Sequence, residues 1–174
     1  MLTDIPQVHL ARQFMARQES DREDLLNEAT ALRERIELTH SGEDEPVTVG
    51  FRAGGDISFY FGPEVVYQFN AAGQLRRAHL GDRLIKAERG RLVALKRVRT
   101  PEATTLQRFD VDETQTAEIF AAMRSRLEAL LKILERGDFH IVGQVPAEQP
   151  LIERIVRELP ALLEAEVAPS PRVG

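Results

Sequence analysis

Glycine punctuation between Val47 and Arg99 constrains this chain more than any other feature. Gly54-Gly55, Gly62-Pro63, Gly73, Gly81-Asp82 and Arg89-Gly90 fall between short runs in which apolar and polar residues tend to alternate. Alternation with period two sorts side chains onto opposite faces of a strand, and glycine supplies the positive φ that tight reversals need. Val47, Val49 and Phe51, then Ile57, Phe59 and Phe61, set the pattern. Gly54-Gly55 reads as a two-residue hairpin loop of the primed type, and Asn70-Ala71-Ala72-Gly73 as a turn with Gly73 left-handed. The runs Val65–Phe69, Leu75–His79, Arg83–Glu88 and Arg91–Val98 complete six antiparallel strands, and Thr104–Val111 offers a seventh.

Helical signals flank this meander. Asp4-Ile5-Pro6 suits the start of a helix to about Arg17, and Ser20 with Glu23 has capping-box spacing. Leu25, Ala29, Leu32 and Ile36 then form a seam, expected to pack on the chain's own sheet or on a partner helix. After the loop His40–Pro46 and the strands, Asp112 and Gln115 open the longest helix, Glu113–Arg136, which stops at Gly137. Phe120, Met123, Leu127, Leu130, Leu131 and Leu134 line one side of it, as a plug for the concave face of the sheet would require. Phe139–Val142 reads as an edge strand. Pro146 and Pro150 introduce a final helical stretch that Pro160 is expected to kink or divide.

The expected fold is α+β: a six- or seven-stranded antiparallel β-meander curved around a long helix, with flanking N- and C-terminal helices. One domain spans 1–167, comprising helices in 1–39, the meander in 47–111, the long helix 113–136 and helices in 147–166. A frayed tail occupies 168–174. Leu84 beside Ile85, and Leu92 beside Val93, make late strands apolar on both faces, so part of the outer face is expected to be covered.

At 174 residues with 43% hydrophobic and 29% charged side chains, the chain can bury roughly 70% of its unfolded surface as one domain. No apolar run approaches the roughly 20 residues of a membrane-spanning helix, and the start resembles no secretory signal, so a cytoplasmic protein without membrane contact is expected. The absence of cysteine excludes disulfides and thiolate chemistry.

Charge is unevenly placed within a net of −5. From Arg76 to Arg99, nine Lys and Arg residues stand against Asp82 and Glu88, whereas Met1–Pro46 is strongly acidic. Cations beside aromatic rings suit nucleic acid, because the cations displace counterions and the rings stack on bases. The candidate partner-binding residues are Arg76, Arg77, Arg83, Lys86, Arg91, Lys96, Arg97 and Arg99, with Tyr60, Tyr67 and His79 interleaved. Parity divides the cations between both faces, so pairing with the molecule's own acidic groups competes with an anionic partner, either nucleic acid or an acidic protein.

Arg52-Ala53-Gly54-Gly55-Asp56 resembles the GGD hairpin of nucleotide cyclases and polymerase palm domains, in which a turn carboxylate helps to hold Mg²⁺. No acidic residue lies on the preceding strand to complete such a site, so the motif is read as turn chemistry. Tyr67, Phe69, Asn70, Gly73 and Leu75 resemble a single hairpin of the YD-repeat kind, which implies hairpin formation over nine residues and no activity. His9, His40, His79 and His140 share no metal-ligand spacing. No catalytic, cofactor-binding or metal-binding residue is assigned, and no cofactor is expected. Three functional expectations follow: a non-catalytic binding or accessory protein that engages an anionic partner through the basic strands; a helix-mediated interaction or homo-oligomerisation module using Leu25, Leu32 and Ile36, in which the basic strands are structural; and an enzyme with a pocket between the long helix and the sheet, where Asp56, His79 or His140 converge with polar neighbours.

Overall fold

A computed structural model of the chain describes residues 34–40, 46–52, 54–142 and 148–169. Nine antiparallel strands form one sheet: β1 (Glu34–His40), β2 (Val47–Phe51), β3 (Ile57–Phe61), β4 (Val65–Phe69), β5 (Leu75–Leu80), β6 (Arg83–Glu88), β7 (Arg91–Arg99), β8 (Thr104–Asp110) and β9 (Phe139–Ile141). Their order is β8-β7-β6-β5-β4-β3-β2-β1-β9. Helix α1 (Glu113–Arg136) carries the chain from one edge of the sheet to the other, and helix α2 (Glu148–Leu162) packs beside it.

The sheet has nine strands rather than six or seven because it begins earlier and ends later than the glycine-marked region. Ile36, the last member of the expected helical seam, belongs to β1. Ile36 and Leu38 are 1% and 2% exposed, while Arg35 and Glu37 alternate with them. The helix expected over 20–36 therefore cannot include its final turn; Leu25, Leu32 and the helices expected over 1–33 lie outside the described residues. At the far end, β9 pairs with β1 through Leu38–Ile141 and His40–Phe139.

Inner-face side chains Val49, Phe59, Tyr67, Phe69, Leu75 and Ile85 are fully buried against Met123 and Leu127 of α1 and Ile155 and Leu159 of α2. Phe59 meets Phe69 edge-on at 5.9 Å between centroids. Helix α1 is closed at both ends. Asp112 Oδ1 accepts from the Gln115 backbone N–H at 2.7 Å, and Gln115 Oε1 accepts from the Asp112 N–H at 3.1 Å. Gly137 takes the left-handed conformation and donates to the Ile133 carbonyl.

Three local expectations change. Arg52 N–H bonds to the Asp56 carbonyl and Gly55 N–H to the Arg52 carbonyl, so the β2–β3 connection is one residue longer than a two-residue loop. Gly55 has φ +92°, which favours glycine, and a Cβ there would make a tight 3.2 Å approach to Ala71 Cβ. Helix α2 runs through Pro160, in its last turn, without dividing there. The tail does not fray at Ala168. Leu75 N–H bonds to the Glu166 carbonyl and Ala168 N–H to the Leu75 carbonyl, leaving Ala168 1% exposed.

Candidate functional site

The register of β5–β8 decides how the basic residues are shared between faces. Between Gln68–Arg77 and Phe69–Leu75 the pairing shifts at a bulge, leaving Arg76 as the extra residue. That shift keeps both Leu75 and Ala78 in the core. Arg76 turns back to the β2–β3 connection, where its guanidinium meets Asp56 Oδ2 at 3.1 Å, both groups half-buried. The carboxylate that the GGD resemblance singles out is thus engaged by an arginine. Among the described residues no three metal-ligating side chains converge.

Arg83 and Lys96 face each other across β6 and β7 on the helix-covered side, and Lys96 Nζ lies 3.9 Å from Asp82. On the outer side, Arg77 stands opposite Lys86, and Lys86 opposite Val93. Arg91, Arg97 and Arg99 share the parity of Val93 and therefore the outer side, and Arg108 joins them opposite Leu95. The acidic side chains on that side of β5–β8 are Glu88 and Asp110. Arg108 bonds Glu88 at 2.7 Å and holds its carboxyl below the usual range, through the hydrogen bond first and its charge second. Among the described residues no ion pair engages Lys86, Arg91, Arg97 or Arg99. Arg108 was not among the residues singled out by sequence; its signal was the alternation of β8 itself.

The aromatic residues go elsewhere. Tyr67 is wholly buried on the inner side, where its phenol oxygen accepts from Arg126 at 2.7 Å. Tyr60 is 5% exposed on the outer side of β3, opposite Val66. Neither ring offers an open face for a base to stack on. His79 lies on β5 opposite Leu84, and His140 on edge strand β9, five strands away or about 24 Å at ~4.8 Å per strand. Asp56, His79 and His140 therefore do not meet in one pocket.

A cleft of about 1430 Å³ lies at the β6–β7 turn and the start of α1, lined by Glu88, Arg91, Arg108, Asp110, Arg124 and Glu166 among others. Opposite charges alternate around it. A second, of about 470 Å³, places Glu64, Arg83, Glu118 and Arg126 around the buried Tyr67. Among the described residues no helix is long and apolar enough to cross a membrane. The structure is that of an α+β protein with an antiparallel sheet. No protein-family model, curated protein or solved structure matches this chain.

Proposed function

We propose that this chain is a small non-catalytic binding or accessory protein that engages an anionic partner, nucleic acid or an acidic protein surface, through the outer side of β5–β8. The observation that carries the reading is the one-sided placement of Lys86, Arg91, Arg97, Arg99 and Arg108, with Arg77 on the same side, where the acidic side chains of these four strands are Glu88 and Asp110. Of the remaining candidates, Arg76 and Lys96 meet Asp56 and Asp82, and Arg83 lies on the helix side. With Tyr60 and Tyr67 buried, contact comes from charge and not from stacking on those rings, which favours a phosphate backbone or carboxylates over splayed bases.

Fluorescence anisotropy with labelled duplex, single strand and an acidic peptide tests the reading across a salt series. Binding should weaken steeply with salt and fall again in a Lys86→Ala/Arg97→Ala variant, whereas Arg83→Ala should leave it nearly unchanged. Flat titrations at low salt with all three probes would remove the proposal.

A further inference from the structure

We propose that the open edge of β8 pairs antiparallel with β8 of a second copy of this chain, about a two-fold axis at Phe109, joining two nine-stranded sheets into one. This interface shares Arg108 with the anion-binding surface but does not rest on that reading. Among the described residues β8 pairs with β7 alone and lies at the end of the sheet. Natural edges are blunted by shortness, lysine, proline, a bulge or a covering element. Thr104–Asp110 is seven residues long, contains no Lys or Pro, and pairs with β7 without a register shift. It also carries Leu106 and Phe109, 48% and 44% exposed, two of the three large apolar side chains exposed among the described residues. The opposite edge, β9, has three residues.

Backbone geometry defines which groups the edge offers. Val111 N–H bonds to the Leu92 carbonyl at 3.1 Å. Antiparallel ladders alternate, so Phe109 and Gln107 also turn their peptide groups toward β7, while Leu106, Arg108 and Asp110 turn theirs outward. Asp112 N–H is already held by Gln115 Oε1, which ends the available edge.

An axis through Phe109 sets Arg108 opposite Asp110 of the second copy, and Asp110 opposite its Arg108. Both are hydrogen-bonded pairs, and symmetry makes the charge match twice. Phe109 then faces its own counterpart at a non-hydrogen-bonded position, where the side chains approach most closely. Moving the axis to Gln107 sets Arg108 against Leu106 and Asp110 against Thr104, with no counter-charge. Moving it to Arg108 opposes two arginines. Charge complementarity therefore selects Phe109 as the axis. An axis normal to the sheet keeps like sides together, so the two outer sides run into one another.

Sedimentation velocity of the full chain over micromolar concentrations should show a shift to twice the monomer mass. Asp110→Arg should weaken dimerisation by about tenfold or more, and Arg108→Asp combined with Asp110→Arg should restore it, because the exchanged charges again face each other. The chain has no cysteine, so mild oxidation should link copies carrying Phe109→Cys and not those carrying Gln107→Cys. The linking assay also decides the matter if a charge variant folds poorly. A monomer at every concentration would overturn the proposal, as would a dimer indifferent to Asp110→Arg or linked through Gln107→Cys alone.

Discussion

The guanidinium carbon of Arg154 lies 3.7 Å from the centroid of the Phe51 ring, and the same group bonds Glu34 Oε2 at 2.7 Å. One side chain on α2 thereby grips β1 and β2 together. The two contacts differ in worth, because Phe51 is 4% exposed whereas the Glu34 carboxylate is largely solvated. Arg154→Ala should cost about 1–2 kcal/mol, mostly through lost packing on the ring, while Glu34→Ala should cost less than about 0.5 kcal/mol. Urea unfolding of both variants separates these contributions. Equal losses would move the energy to the ion pair.

Arg89 holds φ at +53° and Gly90 at +77°, as a two-residue primed turn between Glu88 and Arg91 demands. Among the described residues Arg89 is the sole non-glycine with positive φ. Asparagine adopts this conformation more readily, so Arg89→Asn should stabilise the protein by about 0.5–1 kcal/mol. The expected result is a higher urea midpoint at unchanged m-value. A lower midpoint would show that the Arg89 side chain contributes more than its backbone strain costs.

The meander was legible because each reversal carried its own chemistry: Gly73 takes its left-handed place with Asn70 Oδ1 accepting from Ala72 and Gln74, and Arg89-Gly90 is closed by neighbours in register. The Asp112–Gln115 box and Gly137 likewise marked both ends of α1 locally. β1 was not legible, since Ile36 fits the i, i+4 seam from Leu32 as well as it fits alternation with Leu38. Only pairing with Val49 of β2 decides between them. The bulge that separates Arg76 from Arg77, and the burial of Tyr60 and Tyr67, depend on partners distant in sequence. For that reason a basic block visible in the chain did not reveal which of its members share a side.

Tyr67 supplies a pH test. Burial pushes its phenol above the ordinary 10.0, while the charge and hydrogen bond of Arg126 pull the other way without cancelling the shift. Because the folded value is the higher, the stabilisation is fully present below the unfolded value and is lost as pH rises through the folded one, above about pH 10. The chain has two tyrosines and no tryptophan. In a Tyr60→Phe variant, tyrosinate absorbance therefore reports Tyr67 alone, and its midpoint should lie above 10.0 and rise further with Arg126→Gln. A Tyr67→Phe variant should lose less stability over the same alkaline range. A midpoint at or below 10.0 would contradict the buried phenol.

Gln68 is 3% exposed on the outer side of β4, between Ser58 and Arg77, and neither amide atom has a hydrogen-bond partner among the described residues. Burying an unpaired amide costs about 1–3 kcal/mol, whereas an apolar side chain of similar length fills the same space without that penalty. Gln68→Met should therefore raise stability by about 1 kcal/mol, read as a higher urea midpoint. A loss instead would mean that the amide is satisfied in solution. The same variant separates stability from binding. Gln68 is buried while the Lys86 side chain is exposed, so salt-dependent anion binding should persist in Gln68→Met at its original strength. Binding that disappeared with the amide would shift the contact surface from the β5–β8 cations toward Ser58 and Gln68 on β3 and β4.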